Sequence, residues 1–294
     1  MKARFFAWTV LALTLAACDK NNDENLNDGP VAAKFTAAIS EAVPTRASGT
    51  DWAEGDCIGI TGADYTNVPY KRVNGQFVPD DTTIYYQTPD PVTFSAYYPY
   101  NAAGGILTAT TDATAQQDQP AIDFLYATGA TGSTHSPQVY FTDNSDTGGP
   151  DCSFHHCMSQ ITINFDKGSG VDFTTNKPTD YTLSDIELTG TFDTETGIAT
   201  SDGQTSAGVL TIMLTDGATT SSVILFPQSA ENIPLDVTFN NQLYHATLTV
   251  PDGVLMAGKN YVYKVSINNQ DMSVESAEIS QWNGVACDDA HAEM

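Results

Sequence analysis

Cys152, His155, His156 and Cys157 form the tightest gathering of soft ligands in this sequence. Zinc would need four such donors converging in tetrahedral geometry. If Phe154 to Ile161 is a strand, successive side chains take opposite faces, and His155 and His156 diverge. A packed strand start is therefore expected here, with no metal. The 36 acidic residues could hide a glycosidase pair, but nothing marks two of them out, and their scatter is that of solvated loops. No G-x-S-x-G elbow, P-loop or EF-hand loop is present. The expectation is a protein with no catalytic residues and no cofactor, and not an enzyme.

Two other residues are candidates for covalent processing. Leu15-Ala16-Ala17-Cys18 closes an apolar run, Phe5 to Leu15, that follows Lys2 and Arg4. The run has the length of a signal peptide and is too short to span a bilayer. Small residues ahead of a cysteine resemble a lipobox, which implies a cut before Cys18 and lipid on its sulfur and new amine. Several acyl chains, at roughly 0.8 kcal/mol per buried methylene, anchor almost irreversibly. Residues 1–17 are thus expected to be a signal peptide and 18–30 a polar tether. Arg46 is the second candidate. It follows a strand-like segment and precedes Ala47-Ser48-Gly49-Thr50, a small, polar stretch that a protease could draw into its cleft. After Cys18 the sequence has one other arginine, Arg72, placed at a strand edge beside the Asn74-Gly75 turn.

The elements around these residues read as all-β. Tyr, Phe, Val, Ile and Thr fill short apolar stretches, and Gly, Asp, Asn and Pro interrupt them about every ten residues. Val31, Ala33, Phe35, Ala37 and Ile39 alternate with Ala32, Lys34, Thr36, Ala38 and Ser40, which puts one apolar row on one face of a strand. Further strands are expected at Thr83 to Tyr86 and Val92 to Tyr98, and a strand or bulged edge at Ala121 to Ala127. A hairpin is expected around Asn74-Gly75. The polar, glycine-rich stretch Thr142 to Asp151 suggests a boundary near Pro150, giving blocks 31–150 and 151–294. Asp166 to Asp180 competes as a boundary. Four cysteines remain after Cys18, too few for a disulfide scaffold. A Cys152–Cys157 bridge and buried free thiols both stay open.

Charge excludes some partners. The chain carries 36 acids against 11 bases, a formal charge of −25 that becomes −27 when Lys2 and Arg4 leave with residues 1–17. Nucleic acid is a poor partner for such a surface. Binding of the folded part to an anionic membrane face is also disfavoured.

Several local patterns then fall in order. Phe35 to Ile39, Thr45-Arg46, Trp52-Ala53-Glu54-Gly55-Asp56 and Ile58-Gly59-Ile60 resemble the start of a fimbrillin-family lipoprotein. Ser95 to Tyr100, Asp123 to Ala127, Phe154 to Ile161, Phe226-Pro227-Gln228 and Gly258 to Tyr263 resemble later parts of the same family. No single pattern is specific; the ordered set is. The resemblance implies two transthyretin-like β-sandwich domains in tandem and relation to subunits of a surface pilus. It implies an outer-membrane lipoprotein precursor, cut after Arg46 by an arginine-specific surface protease. Residues 31–46 are then a removable first strand, and the vacated groove accepts a strand from another pilus subunit. Burial of Val31, Phe35 and Ile39 gives a gross gain of roughly 5–9 kcal/mol, and the opened sheet edge would template pairing with another chain. His156 fits the family pattern as a structural residue.

The sequence departs from the family at its far end. The stretch Asn283 to Met294 is polar and a poor donor strand. Met272 to Ile279 is the remaining candidate, but its apolar residues change parity between Val274 and Ala277, so it needs a bulge. A tip or accessory subunit is therefore as consistent as a stalk subunit. The alternative is a non-polymerising, lipid-anchored binding protein for a glycan or host ligand. Two short resemblances remain: acidic residues after Cys18 are similar to a lipoprotein surface-export signal, and Asp81-Thr82-Thr83 to a bacterial O-glycosylation acceptor.

Overall fold

The computed structural model describes residues 30–40, 51–203 and 208–282. Cys18, Arg46, Ala47, Cys287 and the stretch after Trp282 lie outside the described residues.

Strands β1 (Lys34–Ala37), β2 (Cys57–Gly62), β3 (Tyr65–Val73), β4 (Gln76–Pro79), β5 (Val92–Tyr98), β6 (Ile106–Thr110), β7 (Leu125–Gly132), β8 (Gln138–Phe141) and β9 (His155–His156) come first. Eight of them make one sheet in the order β8-β1-β4-β3-β2-β5-β7-β9. Its inward face carries Phe35, Ile58, Ile60, Tyr70, Phe94, Val139 and Phe141, all buried in one cluster. Asn74 and Gly75 take φ of 51° and 79°, the left-handed pair that a two-residue hairpin demands. They join β3 to β4 with Val73 opposite Gln76.

Two expected strands differ in the structure. Thr83 to Tyr86 makes only an isolated bridge, Ala32 to Tyr85, because its backbone is used to hold residues 31–33. Ala121 to Ala127 is not a continuous strand. A 3-10 helix, Ala115–Ala121, occupies its start, and the Ile122 and Asp123 amides donate back to the Gln119 carbonyl. The strand β7 begins at Leu125 instead and runs on to Gly132. It does so by leaving Gly129, at φ 87°, unpaired between the Phe94 and Ser95 partners. Glycine absorbs that bulge without a Cβ clash.

The later strands are β10 (Ser159–Lys167), β11 (Pro178–Ile186), β12 (Thr189–Asp193), β13 (Ile198–Ser201), β14 (Gly208–Met213), β15 (Thr220–Leu225), β16 (Gln228–Ser229), β17 (Asn232–Phe239), β18 (Gln242–Thr249), β19 (Val254–Leu255), β20 (Lys259–Ile267), β21 (Met272–Val274) and β22 (Glu278–Gln281). A sheet β15-β10-β20-β21, with β22 also on β20, faces a sheet β14-β11-β17-β18. Alternate residues of both fill one core: Ile161, Ile163, Tyr261 and Tyr263 from one side, Tyr181, Leu183, Leu235 and Val237 from the other. The arrangement is a β-sandwich. The stretch Met272 to Ile279 forms an interrupted edge. Residues 275–277 lie opposite 263–264, since Val274 pairs Val265 and Glu278 pairs Val262. That is one extra residue, the bulge its change of parity requires.

A third cluster lies between these cores. Phe124 stacks on Phe192 at 4.5 Å, and β6 pairs with β12, which pairs with β13. Cys152 and Phe154 pack in the first cluster, and β9 pairs with β7, so the chain just past Pro150 still serves the first sheet. His155 and His156 point apart. His155 Nε2 lies 3.2 Å from Asp151, while the buried His156 is 2.7 Å from Asp123 and stacks on Trp282 at 4.2 Å. Cys57, Cys152 and Cys157 are free thiols. Burial raises all three, Cys57 to about 11. Because the thiolate is the reactive form, iodoacetamide at pH 8 will label these three far more slowly in the native protein than in urea. Peptide mapping will read the difference; fast native labelling of Cys157 would contradict the packing.

Candidate functional site: the seat of the first strand

Residues 31–40 enter the first sheet as its least local member. The segment begins with the Tyr86 amide donating to the Val31 carbonyl at 3.0 Å and the Ala33 amide donating to the Ile84 carbonyl at 2.9 Å. It then runs parallel to β8, Lys34 to Ala37 opposite Gln138 to Phe141. The Ala38 amide donates to the Phe141 carbonyl and the Ser40 amide to the Phe154 carbonyl, at 2.9 and 2.8 Å. Toward β4 it makes a single register pair, Phe35 with Phe77. One flank is thus a continuous ladder, and the other is held by the bonds of residues 31–33 to Ile84 and Tyr86 and by the Phe35–Phe77 pair.

The side chains follow the alternation. Ala33, Phe35 and Ile39 are only 4%, 4% and 7% exposed, while Val31 and Ala37 pack half-buried against the same cluster. Phe35 sits in an aromatic cage, with ring centroids of Tyr70, Phe94 and Phe141 at 4.9, 5.3 and 6.1 Å. Trp52 closes over the strand. Its ring N–H donates to the Ala37 carbonyl at 3.0 Å, and its ring meets Phe77, Tyr98 and Phe154 edge-on.

The seat was only half visible in the sequence. The inward row is there to read, but its partners are not. Neither the parallel pairing to β8 nor the Trp52 latch leaves a local signal beyond the tryptophan itself. Between β1 and β4 lies a cleft of about 390 Å³ lined by Lys34, Arg72, Phe77 and Gln138 among others; sequence reasoning did not find it.

An all-β chain whose first sheet is completed by its own leading segment defines a strand-completed β-sandwich protein. The chain belongs to the fimbrillin-like family: that family's model matches residues 45–282. No curated protein matches. Among solved structures it resembles a candidate cell adhesion protein from Bacteroides ovatus ATCC 8483, at 27% identity and a TM-score of 0.72, covering 86% of this chain and 98% of that one. It also resembles a candidate cell adhesion protein from Bacteroides uniformis ATCC 8492, at 24% identity and a TM-score of 0.68, covering 87% and 99%; at that identity the likeness concerns the fold. The family is one of fimbrial and cell-adhesion proteins, which implies the cell surface and other pilus subunits as partners. Among the described residues no helix is long and apolar enough to cross a membrane.

Proposed function

We propose that this protein is a surface fimbrial component made as a lipoprotein on Cys18, matured after Arg46 and assembled by strand exchange. Its organisation is two tandem sandwiches on either side of the Pro150 region, with residues 152–156 serving the first sheet. The observation that carries the reading is the seating of residues 31–39. The strand is a short segment laid along β8, tied to Ile84, Tyr86 and Phe77 on its other flank and anchored by one caged phenylalanine, so it is a discrete piece of the sheet that a cut could release. Its removal leaves a groove with unpaired backbone on β8 and β4, the geometry that accepts a foreign strand. The same cut frees the subunit from its lipid.

A second reading has its own support. Met272 and Val274 in β21, and Ile279 in β22, already pack on the core of the second sandwich, so the best donor segment is occupied at home. A subunit that accepts a strand but keeps its own suits a tip or accessory place, or a non-polymerising surface binding protein. Limited digestion with an arginine-specific protease separates these. Sequencing should find a new amino terminus at Ala47, followed by oligomer ladders on mixing with stalk subunits. Cleavage first at Arg72, or an uncut chain under conditions that digest exposed loops, would defeat the maturation step.

A further inference from the structure

We propose that the seat of the first strand takes its replacement from a different protein, one that carries a small, a large aromatic, a small and a large aliphatic residue at alternate positions. This rests on the strand exchange proposed above and specifies the partner that exchange requires. Ala33, Phe35 and Ile39 are 4%, 4% and 7% exposed, and Ala37 packs half-buried on the same cluster. The four places make different demands. Phe35 fills a cage walled by Tyr70, Phe94 and Phe141, so a small residue there leaves a cavity. A carboxylate there would be stripped of water among aromatic rings. At Ala33 the core closes on a methyl group, and a longer side chain must push buried neighbours aside. At Ala37 the Trp52 ring N–H holds the strand carbonyl at 3.0 Å, which keeps the backbone tight to the cluster. Ile39 bridges to Phe154 at the far end.

This chain has no second segment with that pattern to offer another copy of itself. Outside residues 33–39, no aromatic residue in the sequence has Ala, Gly or Ser two places to either side and Ile, Leu, Val or Met four places on. The long apolar strands form the body of the two cores, which leaves the stretch after Ile267 as the available donor. Setting Ile279 at the Ile39 place puts Glu275 in the cage. Setting Ile279 in the cage puts Gln281 at the Ala37 place, and setting Met272 there puts Gln270 at the Ala33 place. Each of these registers buries a charged or amide side chain. Setting Trp282 in the cage leaves Ala286 at the Ile39 place and pulls the indole from His156, on which it stacks at 4.2 Å. The negative field of the molecule, formal charge −25, further favours a neutral or basic strand. The partner is therefore an extended segment of another protein, with Phe-class and Ile-class anchors four residues apart.

Full-length protein nicked by an arginine-specific protease, incubated with fluorescent peptides, gives the test. The peptide Pro30 to Ser40 should exchange into the nicked protein. Its Phe35→Glu and Ala33→Leu forms, and a peptide of residues 270–288, should each bind at least about tenfold more weakly. The nicked protein alone should stay monomeric on size-exclusion chromatography at high concentration. Equal binding of all four peptides, or ladders formed by the nicked protein alone, overturns this inference and leaves strand exchange standing. A protein cut at Arg46 that takes up no peptide, the native sequence included, defeats strand exchange and this inference with it. Where the chain resists cutting, Ala33→Leu in the uncut protein decides. It should lower the melting midpoint by about 3 °C or more; a shift under about 1 °C means that the seat does not discriminate by side-chain size.

Discussion

A chain that begins at Ala47 will unfold at a lower temperature than the longer protein, and a peptide of residues 30–40 added in trans will restore much of the loss. Phe35 and Ile39 are buried to 4% and 7% exposure, and each is worth about 1.5–3 kcal/mol against water. The ladder to β8 and the Tyr86, Ala33, Ala38 and Ser40 bonds each add on the order of 1 kcal/mol net. A difference of several kcal/mol in a chain this size moves the midpoint by on the order of 10 °C. The peptide recovers less than the tethered strand does, because it pays for lost translational freedom. Differential scanning calorimetry with and without peptide reads both effects. Equal midpoints for the two chains, or a peptide with no influence, would show that the segment contributes nothing to the sheet and would remove the basis for strand exchange.

The substitution Phe35→Ala in the full chain is expected to cost about 3–5 kcal/mol. Its ring meets Tyr70, Phe94 and Phe141 within 6.1 Å, and these three come from β3, β5 and β8, so no one neighbour can move to fill the void. Lys34→Ala, one residue away on the outward face of the same strand, should change stability by no more than about 0.5 kcal/mol. Urea unfolding of the two variants gives the comparison. The peptide carrying Phe35→Ala should also fail to rescue the Ala47 chain. A loss under about 1 kcal/mol for Phe35→Ala would mean that the cage is not what holds the strand, and the groove would lose its anchor pocket.

Most of the local design was legible. The inward row from Val31 to Ile39, the Asn74-Gly75 turn and the divergence of His155 from His156 follow from a repeat of two residues and from which residues tolerate positive φ. The parity change after Val274 likewise foretold the bulge between β21 and β22. Where the reading failed, a non-local contact had overridden a local pattern. Thr83 to Tyr86 has strand composition, but its backbone is taken up by residues 31–33. Ala121 to Ala127 reads as a strand or bulged edge, but the Gln116 and Gln119 side chains bond to carbonyls of Ile224 and Ser222, and its beginning is a 3-10 turn.

The residues alone settled the class of the molecule: side-chain alternation and turn chemistry act between near neighbours, so an all-β chain with an apolar leading row is written in order along the sequence. Tertiary structure decided which strands lie side by side. Lys34 pairs with Gln138 and β6 with β12, and such choices rest on packing surfaces that exist only once distant segments have met. The same holds for the cage around Phe35, whose Tyr70, Phe94 and Phe141 come from three separate strands.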